Sequence, residues 1–203
     1  GIKTVVQKVA KGRECGFHMR YLPHALRARK RLVCRRCAWV SKGMDFKPLD
    51  KITYRPEVAC FFERTADYVM LEYGRVPDAD IVDDFFDDRP PHVAAEDSLH
   101  FGLLEDQNLI GIAGILFGFP EKTDAYIGLM LLAPEARGRG NGAQLLSHLT
   151  GVAQARGAQR QLVAVLDANP KGRAFWDREG FMLETSFPPI EDRHTRHRLI
   201  RTI

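Results

Sequence analysis

Apolar and polar positions follow regular patterns from about Met44 onward, and these patterns predict most of the fold. The β-like run KITYR, residues 51–55, is followed by proline and predicts a short first strand. Apolar residues at helical spacing continue over 56–74, where Gly74 ends the predicted helix. A proline and early acidic residues then predict a second helix over 77–88.

Three strand-like segments come next, and a polar hairpin signal, EDQN, separates the first two of them. A helix with one apolar face follows and ends at Gly157, and the rest of the chain predicts strand, helix, strand, strand. The predicted order is therefore β-α-α-β-β-β-α-β-α-β-β. After the second helix the predicted elements are 98–105, 108–119, 125–133, 142–157, 160–168, 170–180, 181–187 and 194–203.

Length and composition favour one well-buried domain, since the chain has 203 residues and 45% of them are hydrophobic. No apolar run approaches the ~18 residues that a membrane-spanning helix requires. The sequence shows no signal-peptide pattern, and its four cysteines are too few and too unevenly placed for a disulfide framework. We therefore expect a cytoplasmic protein without a membrane partner.

A glycine-rich turn, PEARGRGNGA, follows the apolar segment YIGLMLLA and precedes a predicted helix. The first N–H groups of a helix lack partners within it and carry partial positive charge, so they can bind an anion. Gly138, Gly140 and Gly142 would let these amides approach phosphate oxygens. Arg137 and Arg139 would add positive charge, although a flexible surface turn is the alternative. The absence of Lys-Ser/Thr after the glycines excludes a P-loop, and the three preceding hairpin-like strands exclude a Rossmann fingerprint.

Two motifs resemble the GNAT superfamily of N-acyltransferases. The segment LLAPEARGRGNGAQLL is similar to the family signature Arg/Gln-x-x-Gly-x-Gly/Ala at Arg137, Gly140 and Gly142. The segment NPKGRAFWDREGF resembles the downstream pattern Asn-x-x-Ala-x-x-Phe-Tyr-x-x-x-Gly-Phe. Its matching positions are Asn169, Gly172, Phe175, Trp176, Gly180 and Phe181. The resemblance covers about residues 45–203 and implies an α/β (α+β) fold with a mixed, mostly antiparallel central sheet flanked by helices.

The resemblance also implies an N-acetyltransferase that transfers the acetyl group of acetyl-CoA to a primary amine of a small molecule or peptide, by direct attack in a ternary complex. In such enzymes the glycine-rich turn binds the pyrophosphate of CoA, and the preceding strand pairs with the pantetheine arm. An amide near Leu132 would stabilise the charge that develops on the acetyl oxygen. The implied cofactor-binding residues are Met130, Leu131, Leu132, Arg137, Gly138, Arg139, Gly140, Asn141, Gly142, Ala143, Asn169, Phe175 and Trp176.

Trp176 departs from the family pattern, in which a tyrosine often returns a proton to the departing thiolate. An indole N–H can donate a hydrogen bond but is not a usable acid at neutral pH. It could stabilise the thiolate through that bond, and then either proton return occurs through water or another group or the enzyme is catalytically slow. Alternatively, Trp176 serves only in aromatic packing. Asn169 has two interpretations as well, a pantetheine contact or the N-cap of a helix that starts at Pro170.

The attacking amine must lose a proton, so a general base is expected, often acting through water. The candidates lie at strand ends, where each also has an ordinary structural explanation. They are Glu105, Asp124, Tyr126 and Asp167, and Trp176 completes the set of catalytic candidates. Four carboxylates on the predicted second helix would attract a cationic amine or simply face solvent, namely Asp83, Asp84, Asp87 and Asp88.

The N-terminal segment carries the basic surplus of the chain, whose net charge is +4. Residues 1–43 hold 12 Lys and Arg and one acid, Glu14, and so have a net charge of +11, which leaves −7 for residues 44–203. We therefore expect a basic N-terminal extension and an acyltransferase domain, divided at this boundary. The extension is either an accessory or non-native leader, which is the stronger alternative, or a small zinc module.

The zinc alternative depends on two close pairs of possible ligands separated by 15 residues. Three thiolates and one imidazole would form a tetrahedral site, from Cys15, His18, Cys34 and Cys37. The basic side chains around them could contact nucleic-acid phosphates. A second class of function therefore stays open, an acyl-CoA-binding sensor or a module that binds nucleic acid or protein through this segment. We favour the enzyme, and the resemblance allows a homodimer.

Overall fold

The computed structural model describes residues 43–189 and 194–203, which form seven strands and five α-helices. The strands are β1 (Met44–Pro48), β2 (Ser98–Glu105), β3 (Asn108–Phe117), β4 (Asp124–Leu132), β5 (Arg160–Leu166), β6 (Met182–Phe187) and β7 (Arg196–Thr202). The helices are α1 (Lys51–Arg64), α2 (Ala66–Tyr73), α3 (Ala79–Asp87), α4 (Asn141–Ala155) and α5 (Pro170–Arg178).

The strands form one sheet in the order β1-β2-β3-β4-β5-β7-β6. Neighbouring strands are antiparallel except for β4 and β5, which run parallel because α4 connects them as a crossover. The predicted fold class, a mostly antiparallel mixed sheet flanked by helices, is confirmed. Strand β2 begins and ends at the predicted residues. Most ends of the later strands and helices lie one or two residues from the predicted position, and the other ends match.

The predicted first strand is wrong, since residues 51–55 form the start of α1. Asp50 caps this helix, because its side chain accepts a hydrogen bond from the backbone N–H of Thr53 at 2.8 Å. A capped start outweighs the β-propensity of a short run, and Pro56 is accommodated within the helix. The first strand lies earlier in the chain, as β1, and pairs with β2 at one edge of the sheet.

The helix predicted over 56–74 is interrupted at Thr65, which separates α1 from α2. The Thr65 side chain is buried, and its hydroxyl donates to the carbonyl of Phe61 at 3.0 Å. A hydroxyl bonded to the carbonyl one turn earlier tends to bend a helix. Gly74 adopts a left-handed conformation and ends α2 as predicted.

Successive residues of β2 show which helices cover each face of the sheet, because side chains alternate along a strand. His100 contacts the rings of Phe85 and Phe86 on α3. Phe101 contacts His148 on α4 instead. Helices α3 and α4 therefore lie on opposite faces.

Arg201 of β7 joins α4 to the end of α5. Its guanidinium donates to Thr150 Oγ1 at 2.6 Å, to the carbonyl of Glu179 at 2.9 Å and to Gln161 Oε1 at 2.7 Å. Since Thr150 is on α4 and Glu179 directly follows α5, both helices lie on the same face of the sheet.

Candidate active site

Strands β4 and β5 separate partway along their length. Their pairing runs from Asp124–Arg160 to Ile127–Val163 and ends there, although β4 continues to Leu132. Beyond this point β5 pairs with β7 on its other side. We call the opening between residues 128–132 and 164–166 the β4–β5 gap.

A bulge in β4 falls where the gap begins. The register between β3 and β4 shifts by one residue, which leaves Gly128 as the extra residue in β4. Gly128 is exposed although its strand lies in the middle of the sheet. Among the described residues, no atom lies within 4 Å of the position that a Cβ would take there. The gap therefore opens onto free space at this residue.

The backbone of β4 beyond the bulge presents alternate residues to the gap. The N–H of Ala133 donates to the carbonyl of Ile110 in β3 at 2.9 Å. In an antiparallel pair the residues that bond to the neighbouring strand alternate with residues that face away from it. Leu131 therefore bonds to β3, whereas Met130 and Leu132 direct their backbone groups into the gap. Leu131 is also buried, and its backbone groups face β3 rather than the gap.

The glycine-rich turn predicted from the sequence connects β4 to α4, and we call residues 134–140 the glycine loop. A short 3-10 turn, Pro134–Ala136, begins it. Gly138 and Gly140 then adopt left-handed conformations with φ of 71° and 82°. Side chains are disfavoured at such φ values, so these two glycines are required by the backbone itself. The space above both residues is open among the described residues.

Helix α4 begins at Asn141 without a side-chain cap from any described residue. The first backbone N–H of this region with an intrahelical partner is that of Gln144, which donates to the carbonyl of Gly140. The preceding N–H groups are therefore available to an anion. Asn141 is buried and its amide donates to the carbonyl of Ala136 at 3.0 Å, so its side chain fixes the glycine loop and its backbone faces the site.

Charged side chains of the glycine loop are paired with carboxylates or a guanidinium elsewhere in the fold. The guanidinium groups of Arg137 and Arg139 are therefore directed to carboxylates, and the groups left without a partner at the helix start are main-chain N–H groups. The pairs are Glu135 with Arg64 at the end of α1, Arg137 with Asp67 at the start of α2, and Arg139 with Glu105 at the end of β2.

Gly142 differs from the other two glycines of the turn, since no left-handed φ requires it. A Cβ at this position would lie 3.1 Å from Cε2 of Phe175 on α5. Gly142 therefore lets α5 approach the start of α4. The neighbouring Trp176 is only 6% exposed, and its ring packs edge-on against Phe175 and Phe181 with centroids 4.9 and 5.0 Å apart. This arrangement supports the aromatic-packing interpretation of Trp176.

Asn169 is the N-cap of α5, where its side-chain oxygen accepts from the backbone N–H of Gly172 at 2.9 Å. A Cβ at residue 172 would lie 2.5 Å from Asn169 Nδ2. The glycine that stands where the family pattern has alanine therefore lets the Asn169 side chain fold over the helix start. The N-cap interpretation accounts for Asn169 in this conformation.

Two of the predicted bases are held in ion pairs away from the gap. The Asp124 carboxylate is fully buried, and Arg160 donates to its two oxygens at 2.7 and 2.8 Å. Asp124 lies at the paired end of β4, roughly 13 Å along the strand from Gly128. Glu105 pairs with Arg139 at 3.2 Å on β2, two strands or roughly 10 Å from β4.

Tyr126 and Asp167 lie nearer to the gap. Tyr126 is the second-to-last paired residue of β4, and burial raises the pKa of its phenol, so it is a donor rather than a base at neutral pH. Asp167 directly follows β5 and lies 3.4 Å from Nδ1 of His194. Partial burial raises the pKa of Asp167, but backbone hydrogen bonds from Thr195 and Ala168 outweigh this effect and leave the pKa below its usual value.

Two carboxylates of the acidic cluster, Asp83 and Asp87, are paired with basic side chains of α1. Arg55 and Lys51 of α1 both pair with Asp83 at 3.0 Å, and Lys51 also pairs with Asp87 at 2.6 Å. The hydrogen bond from Arg55, followed by that from Lys51, holds the pKa of Asp83 far below its usual value. These carboxylates hold α1 and α3 together, which weakens the expectation that they attract a cationic acceptor.

The proposed zinc ligands, Cys15, His18, Cys34 and Cys37, lie outside the described residues. Within residues 43–189 and 194–203, no group of three or more side chains could hold a metal ion. None of the helices in this part of the chain is long and apolar enough to cross a membrane.

Sequence reasoning missed the residues that hold the glycine loop and the end of β5 in place. Arg64, Asp67 and His194 each act on groups far away in the sequence, and Asp67 and Arg137 are 70 positions apart. No local pattern distinguishes such residues from other charged positions on a helix or a strand end. Only the folded chain brings the partners together.

A gap between two parallel strands leads to an open helix N-terminus, an arrangement that suits a ligand carrying both amide groups and an anionic group. The chain belongs to the Acetyltransferase (GNAT) family, whose sequence model matches residues 62–181, more than half of the chain. The sequence matches no curated protein.

Solved structures show the same fold. An acetyltransferase from Thermus thermophilus is 25% identical, with a TM-score of 0.66 over 79% of this chain and 97% of the other. The ribosomal-protein-S18-alanine N-acetyltransferase from Escherichia coli is 17% identical, with a TM-score of 0.60 over 79% and 94% of the two chains. Ard1 from Thermoplasma volcanium is 12% identical, with a TM-score of 0.61 over 79% and 97%.

Proposed function

We propose that the protein is an N-acetyltransferase that transfers the acetyl group of acetyl-CoA to a primary amine of a small molecule or peptide. The observation that carries the proposal is the glycine loop, whose left-handed residues Gly138 and Gly140 turn the chain into an uncapped helix N-terminus. The unpaired N–H groups there suit the pyrophosphate of CoA, since they combine fixed donors with the positive end of the helix dipole.

The β4–β5 gap suits the pantetheine arm, which carries amide groups that can pair with a strand edge. Met130 and Leu132 direct backbone groups into the gap, and the carbonyl of Leu132 already accepts from Arg137 Nε at 3.0 Å. The N–H of Leu132 therefore remains as a donor toward the thioester. A donor fixed at this point would stabilise negative charge on the acetyl oxygen as the amine attacks.

The reaction proceeds by direct attack within a complex that holds both substrates. The amine nitrogen forms a bond to the acetyl carbon, and the bond from that carbon to sulfur breaks. The proton lost by the amine passes to a base, and the departing thiolate takes a proton from water or a neighbouring group. Holding the two reactants in one gap supplies much of the rate through proximity.

Asp167 is the best placed of the candidate bases, since it follows the open arm of β5. Its carboxylate is ionised at neutral pH, as that of an ordinary aspartate is, and it can accept the amine proton through a water molecule. We expect Asp167→Asn to lower kcat about a hundredfold with little change in the affinity for acetyl-CoA. Asp124→Asn should not have this effect, because the Asp124 carboxylate of the native chain is already bonded to Arg160.

Calorimetric titration with acetyl-CoA tests the binding step. Gly140→Asp would place a side chain and a negative charge at the loop, and we expect it to abolish binding. Gly157→Asp is a matched control, because Gly157 has a φ of 78° at the other end of α4 and open space above it. Both variants strain the backbone similarly, so a loss of affinity in Gly140→Asp alone identifies the loop as the binding site.

Release of free thiol from acetyl-CoA in the presence of a panel of primary amines tests the chemical step. We expect amine-dependent release by the native chain and none by Gly140→Asp. Failure of the native chain to bind acetyl-CoA, or equal affinity in native chain and Gly140→Asp, would overturn the proposed function.

A further inference from the structure

Helix α2 spans the mouth of the β4–β5 gap. Its first turn is bonded to the glycine loop that follows β4, and its last turn is bonded to β7 and the residues before it, next to the open arm of β5. A helix of eight residues thus connects the two arms of the gap. The contacts are Asp67 with Arg137, the carbonyl of Leu71 with His194 at 3.1 Å, and Glu72 with Arg196 at 3.5 Å.

These contacts lie on the face of the sheet opposite α4. Arg201 bonds to Thr150 of α4, and side-chain alternation along β7 places Arg196 on the other face. The glycine loop and the start of α4 serve CoA in the proposed function. The acceptor amine must then reach the thioester from the face that α2 covers, so α2 forms a wall of the acceptor site.

Arg137 connects three parts of this arrangement. Its two terminal nitrogens donate to the two oxygens of Asp67 at 2.5 and 3.1 Å, and its Nε donates to the carbonyl of Leu132 at 3.0 Å. One planar guanidinium thus fixes the end of β4, the glycine loop and α2. An isolated exposed ion pair contributes little to stability, but here three bonds to two elements set the position of a helix.

A second contact fixes the other side of the break between α1 and α2. Arg64, the last residue of α1, pairs with Glu135 of the glycine loop and donates to the carbonyl of Leu109 at 3.0 Å. Buried Thr65 lies between this contact and Asp67. The start of α2 is therefore tied to the glycine loop on both sides of the break.

We infer, on the basis of the proposed function, that Arg137 is a positioning residue that fastens α2 to the glycine loop through Asp67. Because Arg137 bonds both the end of β4 and Asp67, CoA held by the glycine loop stabilises α2 through this pair. Binding of CoA therefore also stabilises the wall of the acceptor site. The chemistry of the reaction does not need the Arg137 side chain to touch either substrate.

Hydrogen–deuterium exchange on the full chain, with and without coenzyme A, tests this coupling. In the native chain we expect CoA to slow exchange in peptides that cover residues 137–143 and in peptides that cover α2. In Asp67→Asn the loop should still be protected and α2 should lose its protection. Unchanged exchange at 137–143 in the native chain would overturn the proposed function, whereas protection of the loop without α2 would overturn only this inference.

Calorimetry with CoA gives a second test, because two possible roles of Arg137 predict opposite changes in CoA affinity when Asp67 is replaced. Asp67→Asn removes a negative charge beside the phosphate site and frees the guanidinium. If the guanidinium binds phosphate, the variant should bind CoA more tightly than the native chain. If Arg137 is a positioning residue, the variant should bind CoA about three- to tenfold more weakly, since the loop is less ordered. We expect weaker binding, and tighter binding would contradict the inference.

The matched control is Asp87→Asn, which removes a carboxylate from another exposed ion pair. The side chains of Asp87 and Asp67 are 60% and 55% exposed, and Asp87 pairs with Lys51 on α1. This control should leave CoA affinity and α2 exchange unchanged. For any amine that the native chain acetylates, Asp67→Asn should raise KM more than it lowers kcat, which a general loss of stability would not do.

Discussion

The buried carboxylate of Asp124 and the guanidinium of Arg160 form a two-bond ion pair that fastens the first residue of β4 to the first residue of β5. The carboxylate is fully buried, whereas the arginine side chain is 38% exposed. Asp124 also accepts from the backbone N–H of Glu121 at 3.2 Å. This pair holds the strands together at one end, so that they separate only beyond Ile127 and leave the gap at the other end.

We predict that Asp124→Asn lowers the free energy of unfolding by about 2–3 kcal/mol, because the buried site loses its charge and Arg160 loses its partner. Urea unfolding measures this change. Asp177→Asn, which breaks an exposed pair with Arg173, is the control and should cost at most about 0.5 kcal/mol. Loss of kcat by a hundredfold or more in the folded variant would instead assign Asp124 to the chemistry.

Trp176 gives a second prediction, because its packing and its family position point to different roles. We expect Trp176→Tyr to leave kcat essentially unchanged and to lower stability by about 1–2 kcal/mol, since the smaller ring fills the space between Phe175 and Phe181 less well. Steady-state thiol release and thermal unfolding measure the two effects. A gain in kcat of about a hundredfold would show that a hydroxyl at this position can protonate the thiolate.

Two partly buried histidines predict how stability depends on pH. Burial lowers the pKa of His100 and of His148, whose Nε2 has no hydrogen-bond partner among the described residues. The unfolded chain therefore binds protons near the ordinary histidine pKa of about 6.5, while the folded chain binds them only at lower pH. The stabilising contribution is present above about pH 6.5 and is lost as the pH falls toward the folded-state values.

Urea unfolding between pH 5 and 8 measures this dependence. His148→Phe should reduce the loss of stability on the acid side, since the introduced phenyl ring could stack on Phe46 as the imidazole does at a centroid distance of 4.4 Å. Adding His100→Leu should reduce it further. If the free energy of unfolding fell equally steeply with decreasing pH in the double variant and in the native chain, these histidines would not be the cause of the pH dependence.

The fourth prediction concerns the division of the chain. We propose that residues 44–203 form the acyltransferase domain and that residues 1–43 are accessory to it. A chain that begins at Gly43 should bind acetyl-CoA with the affinity of the full chain and should contain no zinc, since the described residues offer no metal site. Metal analysis of the full chain then tests directly whether the pairs Cys15/His18 and Cys34/Cys37 hold a zinc ion. A loss of acetyl-CoA affinity in the shorter chain would contradict this division.

The strands from β2 to β4 were predictable because their apolar runs are long and a clear turn separates the first two. The first strand was not, because the β-like run of five residues after Asp50 begins a helix once that side chain caps it. Thr65 likewise gave no local sign that it would break a helical pattern, since its buried hydroxyl bond depends on the neighbouring turn. Short patterns are decided by caps and packing rather than by periodicity.

The sequence alone predicted an anion site, because a glycine-rich turn before a helix leaves unpaired N–H groups wherever that helix lies in the fold. It also determined the family, through two motifs in the right order. The tertiary structure alone decided what the charged side chains do. Arg137 is paired with Asp67, Asp124 holds two strands together, and α2 is bonded at one end to the glycine loop and at the other to His194 and Arg196. Such roles depend on distances between residues far apart in the chain, and a linear pattern contains no information about those distances.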